Sequence, residues 1–451
     1  MSPISPRNSQ PLSIIYRSIE DLELDVQNPR QHTDHQIRQL AKSIEAFGFN
    51  VPFLIDRNLR VVAGHGRLAA CKLLKIRRLP TICLDHLSEA QARGFAIADN
   101  RLAETATWNE QLLAEQFKAL GELDLDFTLE ATGFEMGEID LLVEGLTPAV
   151  DGEADPSDEL PQVEPAIQVT QSGDLWRLGR NRIICGDALH EQTYASVMNG
   201  QHAAAVFIDP PYNVRINGHV HVAGNANVRH DEFAMASGEM SKREFTLFLR
   251  TAFSLLARSS EAGALHFVCM DWRHLDEILA AAGPVYPELK NLCVWVKDSG
   301  GMGSFYRSQH ELVFIFKNGK GNHRNNFLLG QHGRYRTNVW QYPRVKSRAG
   351  DVDEANAAAL HPTVKPVALV ADAIMDSTAR GEIVLDSFLG SGTTLIAAER
   401  SGRTCYGIEL DPTFVDLAIH RWQAFTRQSA IHIESGRSFG EIEEVRLGQQ
   451  Q

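Results

Sequence analysis

The stretch Ile383-Val384-Leu385-Asp386-Ser387-Phe388-Leu389-Gly390-Ser391-Gly392-Thr393-Thr394 runs from an apolar segment through a loop with two glycines, and Leu395-Ile396-Ala397-Ala398 then opens a helical pattern. Glycines at 390 and 392 let the chain turn tightly and let its backbone approach a bound group. Seventeen residues past Gly392, at the end of a second apolar run, Cys405-Tyr406-Gly407-Ile408, stands Glu409. An acid at the tip of the second strand of such a unit is where a ribose hydroxyl pair is held. Thr394 and Leu395 stand where the dinucleotide fingerprint needs its third glycine, so the loop suits a nucleoside without a pyrophosphate better than NAD.

Strand–helix alternation extends around this stretch, from about residue 169 to 428. Ala203-Ala204-Ala205-Val206-Phe207-Ile208, Ala264-Leu265-His266-Phe267-Val268 and Glu311-Leu312-Val313-Phe314-Ile315-Phe316 are strongly apolar. Such strands belong in a mostly parallel sheet covered on both faces, which predicts an α/β, Rossmann-like domain. A smaller α+β domain is predicted over residues 12–146. There Thr33 is the expected cap and Gly48 the stop of a helix carrying Ile37, Leu40, Ala41 and Ile44. Residues 51–55, 59–63 and 79–84 read as strands, and Ile139, Leu141 and Leu142 suggest a further small helix. Residues 147–168 are rich in Pro, Gly, Asp and Glu and are expected to be a linker. The polar tail, 437–451, is expected to be disordered.

At 451 residues the chain exceeds one ordinary domain. No apolar run approaches the ~20 residues of a membrane span, and Met1 to Gln10 lacks the apolar core of a secretory signal. A cytoplasmic protein without a membrane partner is expected. The cysteines at 71, 83, 185, 269, 293 and 405 are scattered singly. They read as buried thiols, and no metal is expected. The net charge of −13 is concentrated: fifteen Asp or Glu and no Lys or Arg lie between Ala119 and Trp176, and the remainder of the chain carries +2. Between Lys290 and Gly350 stand eleven Lys or Arg against Asp298 and Glu311. This local field is what a polyanion meets.

Asp209-Pro210-Pro211-Tyr212 follows directly on the strand ending at Ile208, where ligands bind in open α/β sheets. The residue types suit an aromatic amine, a poor nucleophile because its lone pair is delocalised into the ring. The Asp209 carboxylate can accept one amino hydrogen, and the Pro210 carbonyl can aim at the other, since consecutive prolines fix the backbone and lack N–H groups. Tyr212 offers a face for stacking an extruded base. His219, His221 and His230, in a polar Gly/Asn segment just downstream, are expected to cover that base rather than bind a metal. Trp295 and Trp340 are expected to pack in a core or interface.

These residues resemble the amino-methyltransferase family of DNA-modifying enzymes over roughly 172–427. Asp209 to Tyr212 is similar to its catalytic motif, Asp386 to Thr394 to its cofactor loop, and His361-Pro362-Thr363-Val364-Lys365-Pro366 to an additional cofactor motif. Cys185-Gly186-Asp187-Ala188-Leu189 resembles the segment touching the cofactor's adenine. The catalytic motif precedes the cofactor loop, the order of the β group, which places target recognition between them; here that is about 290–350, with the turn Ser299-Gly300-Gly301-Met302-Gly303. The resemblance implies S-adenosylmethionine held by Asp187, Thr363, Lys365, Asp386, Phe388, Gly390, Gly392, Thr393, Thr394 and Glu409. It implies site-specific methylation of double-stranded DNA at Asp209, Pro210, Pro211 and Tyr212. Asp at 209 favours adenine, whereas Ser is commoner for the cytosine amino group.

The first domain resembles the N-terminal domain of ParB-like nucleases and partition proteins, through Asn28-Pro29-Arg30, Gly64-His65-Gly66-Arg67 and Asn100-Arg101. That family's loops cradle a nucleotide triphosphate, which implies CTP as a partner. His65 and Gly66 stand where its phosphate motif usually carries Glu and Arg, so Arg30 and Arg67 equally suit a DNA phosphate. A partition-type clamp with an accessory methyltransferase domain is opposed by the intact Asp209, Tyr212, Gly390, Gly392 and Glu409. A nuclease–methyltransferase fusion lacks a paired-carboxylate-plus-Lys cluster in residues 1–120. Neither the recognition sequence nor the oligomeric state has a signature in the chain.

Overall fold

The computed structural model describes residues 12–25, 28–146, 155–159, 161, 168–213, 239–298, 300, 305–327, 336–345 and 364–448. It divides into two compact units, at Thr147 and Pro148.

In the first unit a four-stranded sheet has the order β1 (Ile14–Ser18), β4 (Arg78–Cys83), β2 (Phe53–Ile55), β3 (Val61–Ala63). Helix α1 (Asp34–Phe47) starts where the Thr33 side chain accepts from the Gln36 amide at 3.2 Å and stops at Gly48, with φ +76°. Helix α2 (His65–Leu73) packs Leu68 and Cys71 on Phe53, Ile55, Val61 and Leu79. Helices α3 (Glu89–Glu104), α4 (Glu110–Gly121) and α5 (Met136–Glu144) follow. Ala114, Phe117, Met136 and Ile139 are buried on α4 and α5.

The second unit is a ten-stranded sheet: β11 (Val339–Gln341), β9 (Glu288–Val296), β10 (His310–Lys317), β8 (Ser260–Met270), β7 (Ala203–Ile208), β12 (Ile383–Asp386), β13 (Thr404–Glu409), β6 (Asn181–Cys185), β5 (Leu175–Leu178), β14 (Ile431–His432). The five strands from β8 to β6 are parallel; β10, β5 and β14 run antiparallel to their neighbours, making the sheet mixed. Both faces are buried because successive strand residues point to opposite sides. Phe207 and Val384 join a core with α9 (Val367–Ser377), α10 (Thr393–Ser401) and α11 (Pro412–Thr426). Ile208 and Leu385 join another with α6 (Glu191–Met198), α7 (Lys242–Arg258) and α8 (Leu275–Ala282). Helix α7 enters through a Ser241/Glu244 capping box and buries Phe245, Phe248, Leu249 and Phe253. Each such side chain contributes roughly 1.5–3 kcal/mol.

From β7 the chain moves to β8 on one side, while β12 leads to β13 on the other. Connections diverge at this switch point, leaving a crevice at the strand ends. The expected catalytic motif and glycine loop follow these two strands.

Two expectations need correction. Residues 155–159 of the expected linker pack on the second unit, where Asp155 pairs with Arg400. The expected disordered tail contains α12 (Phe439–Gly448), whose Phe439 is buried against Trp176. The expected recognition region, about 290–350, includes most of β9 and all of β10 and β11, three sheet strands. Burial of an apolar side chain, Phe439, that local polarity masks explains the ordered tail. Five of the cysteines are buried and Cys83 is half-buried; Trp295 and Trp340 are in the core.

Candidate active site

Asp209 leaves the end of β7, and its carboxylate is met by two donors: the Tyr212 hydroxyl at Oδ1, 2.5 Å away, and the Lys365 ammonium at Oδ2, 2.5 Å away. Lys365, with 4% of its side chain exposed, also pairs with Glu311 at 3.0 Å, and Glu311 pairs with Lys297. Two carboxylates and two ammoniums from four separate chain segments therefore alternate, and the Tyr212 hydroxyl also lies 3.3 Å from both Glu311 and Lys365. Lys365 lies 5.6 Å from the Tyr212 ring centre and 5.8 Å from that of Trp295. Cation–π attraction thus supplements the ion pairs.

Burial tends to raise every acid here. It lifts the Asp209 carboxyl, with Lys365 opposing and Glu311 adding to the shift. For Glu311 the two lysines outweigh burial and hold the carboxyl at about 2. Burial would lower the Lys365 ammonium, but Asp209 and Glu311 reverse this and keep it charged. The Tyr212 phenol is pushed well up, by burial first and then by the neighbouring carboxylates, so it remains a donor. Asn213, at φ +52°, closes the motif: its side chain donates to the Met240 carbonyl at 2.8 Å and accepts from the Met240 amide at 3.2 Å.

The neighbouring corner is built around Glu409. Its Oε2 accepts from the Gly390 amide at 2.7 Å and its Oε1 from the Asp411 amide at 2.9 Å, while its own carbonyl accepts from the Gly186 amide at 2.8 Å. The tips of β6 and β13 are thereby tied, which brings Asp187 beside the glycine loop; the Asp187 carboxylate accepts from the Leu189 amide at 2.8 Å. Gly390 and Gly392 have φ +52° and +82°, a left-handed backbone that suits glycine. Asp386 accepts from the Thr394 hydroxyl at 2.6 Å and the Phe388 amide at 2.9 Å. Burial pushes both Asp386 and Glu409 up to about 7. Thr393 is buried at the start of α10, and the Phe388 ring lies 5.9 Å from Phe248.

Of the residues expected to hold a cofactor, Asp187, Asp386, Phe388, Gly390, Gly392, Thr393, Thr394 and Glu409 converge here. Lys365 reaches the Asp209 carboxylate. Thr363, with His361, Pro362, the three loop histidines at 219, 221 and 230, and most of the turn at 299–303, lies outside the described residues. Glu311 and Lys297 were missed as site residues. The signal for Glu311 was present: a lone acid heading a strongly apolar strand within a basic stretch.

Among the described residues, most cations of that basic stretch are paired. Lys290 and Lys317 pair with Glu288, Lys297 with Glu311, Arg324 with Glu382, Arg336 with Asp372 and Asp376, and Arg344 with Asp298. Six of its cations thus have carboxylate partners, some within the stretch and some outside it.

In the first unit Gly64, at φ +114°, begins α2, and a Cβ there would meet Phe53 at 2.8 Å. The Arg67 guanidinium donates to the Val51 carbonyl at 3.0 Å and lies 5.8 Å from the Phe53 ring centre. Gly66 is packed on His32, and burial lowers the His65 imidazole. Arg30 donates to the Asn100 side chain at 3.1 Å and pairs with Glu104 at 3.2 Å; Glu104 also pairs with Arg101. Arg30, Asn100 and Arg101 are therefore brought together.

Comparison with known proteins matches residues 203–420 to a DNA methylase family and residues 111–172 to a ParB-methyltransferase HTH domain. The second match spans α4, α5 and the expected linker, where the sequence suggested only a helical extension. A ParB-like nuclease domain-containing protein of Escherichia coli, YnaK, is 40% identical over 83 residues, covering 18% of this chain and 95% of that protein. The DNA adenine methyltransferase YhdJ of the same organism is 26% identical over 277 residues, covering 55% and 84%. The solved structure of PvuII DNA methyltransferase (cytosine-N4-specific) overlaps with a TM-score of 0.42 at 16% identity, covering 61% and 95%. The chain belongs to the N6-adenine/N4-cytosine DNA amino-methyltransferases and carries a ParB-like domain fused to its methylase.

Proposed function

We propose that this chain methylates the exocyclic amino nitrogen of adenine in double-stranded DNA, after the base leaves the helix. The observation that carries this reading is the Asp209 carboxylate, an acceptor at the end of β7 whose two oxygens already hold donors. Asp rather than Ser at the head of the motif, and the similarity to an adenine methyltransferase, favour adenine over cytosine.

S-adenosylmethionine is the methyl donor of such an enzyme and, when bound, supplies an electrophilic methyl group on a sulfonium. The residues present fit it. Glu409 would hold the ribose hydroxyls, and Asp187 would contact the adenine. The Asp386–Thr394 loop lacks the third glycine of the dinucleotide fingerprint, which suits a nucleoside without a pyrophosphate.

Asp209 accepts one amino hydrogen in place of a donor it now holds and biases the nitrogen lone pair away from the ring. The Pro210 carbonyl takes the second hydrogen. Transfer would break the methyl–sulfur bond of the donor as the C–N bond forms, leaving a neutral thioether, and the methylated nitrogen would shed one proton; burial, which raises the proton affinity of Asp209, suits that carboxylate to receive it. Nucleoside mass spectrometry of DNA treated with the full-length protein and donor should show methylated adenine; methylated cytosine without it would overturn the assignment. The Arg30–Asn100 pair and the Gly64–Arg67 turn are read as a phosphate contact, and labelled CTP tests its identity: binding assigns a nucleotide, no binding a DNA phosphate.

A further inference from the structure

The segment Asp155–Asp158, expected to be part of an unstructured linker, lies across both corners of the methyltransferase site. Asp155 closes a turn by accepting from the Ser157 amide at 3.0 Å and its hydroxyl at 2.6 Å, and Arg400 anchors that turn through Asp155. From it the Asp158 carboxylate accepts from the Val367 amide at 2.7 Å. Val367 is the first residue of α9, and the cap residue, Pro366, gives that helix no side-chain cap of its own. Asp158 thus supplies, from 209 positions away, the acceptor and the negative charge that a helix start favours. Lys365, which binds Asp209, stands two residues before Val367.

On the other side the Ser157 carbonyl accepts from Arg421 at 2.8 Å. Arg421, 3% exposed, reaches on to the Ser391 carbonyl at 3.2 Å and the Thr393 hydroxyl at 3.3 Å, both in the glycine loop. One turn therefore touches the start of the helix that delivers Lys365 and, through a buried arginine, the loop beneath the donor.

We propose that Asp158 is a positioning residue for methyl transfer: by fixing the first turn of α9 it holds Lys365 on Asp209, while Ser157 and Arg421 seat the glycine loop. This rests on the methyltransferase reading above. Because Glu409 and Asp386 hold the glycine loop independently, the effect of losing Asp158 falls on turnover rather than on donor binding.

The test uses the full-length protein, with turnover measured on DNA and donor affinity by calorimetry. Asp158→Ala should lower kcat about ten-fold, the scale of one lost helix cap, with the donor Kd changed less than about two-fold. Asp158→Asn, which keeps an acceptor for the Val367 amide, should restore most of the rate. Val367→Pro removes the same bond from its other end, at a helix position proline tolerates, and reads the bond even if the alanine variant fails to fold. Its loss should match that of Asp158→Ala, and combining the two should cost no more than either alone. Unchanged turnover, an Asn variant as impaired as the Ala variant, or multiplying losses in the double variant would each overturn the role of Asp158. Absence of methyl transfer by the parent protein would instead refute the methyltransferase reading.

Discussion

The two corners of the site are assembled in opposite ways. The donor corner is mainly local: Asp386, Phe388, Gly390, Gly392, Thr394 and Glu409 fall within one strand–loop–helix–strand unit, and its hydrogen bonds span at most 19 residues among them. The catalytic corner is gathered from afar: Lys365 reaches Asp209 across 156 positions, and Glu311 reaches Tyr212 across 99. A local unit can be recognised as a motif. A gathered one shows only its most distinctive piece, here Asp209-Pro210-Pro211-Tyr212, and hides the charges that make a buried carboxylate tolerable.

The most severe way to separate the corners is Asp209→Ala. It should lower methyl transfer by at least about a thousand-fold, measured with labelled donor, while leaving donor binding intact, since Lys365 keeps Glu311 as a partner. Substantial turnover would remove Asp209 from the chemistry. Lys365→Met should be the larger injury to the fold, because it leaves the mostly buried Asp209 carboxylate without its ammonium partner, although Glu311 keeps Lys297. A loss of about 3–5 kcal/mol is the usual cost of breaking such a pair, readable as a shifted denaturant midpoint. An unshifted midpoint would show the four-charge cluster to be incidental.

Glu409→Gln addresses the donor corner alone. Donor Kd should rise about ten- to a hundred-fold, the scale of a hydrogen bond to a charged group, with turnover at saturating donor little changed. The smallest effect is on pH. Burial places the Asp386 and Glu409 carboxyls at about 7, whereas an unfolded carboxyl titrates near about 4. Between those values the folded chain keeps protons the unfolded chain has released, so this contribution to stability is present at the acid end and is lost as pH rises through about 7. Thermal melts at about pH 5.5 and 8 should therefore show a shallower decline for Glu409→Gln than for the parent. Equal declines would mean that Glu409 does not titrate there.

Legibility follows the same division. The strand ending at Ile208, the helix capped by Thr33 and the loop at Gly390 were readable because apolar period, capping chemistry and glycine placement act over a few residues. The basic stretch is only partly legible, because a count of Lys and Arg ignores acids elsewhere in the chain: Glu288, Glu382, Asp372 and Asp376 pair with four of its described cations. Asp155 to Asp158 misled for the converse reason. A polar segment without apolar content still becomes ordered when buried partners, Arg421 and the Val367 amide, await its carbonyl and carboxylate.

By itself the sequence determined the α/β architecture, the order of catalytic motif and glycine loop, and the pairing of that loop with Glu409, because each depends on residue types at short, regular spacing. Only the tertiary structure decided that Lys365 serves Asp209, that Glu311 and Lys297 complete the charge balance, and that a supposed linker caps α9. Those outcomes depend on which distant groups are buried together, where low polarity makes an unpaired charge costly and a partner's position decisive.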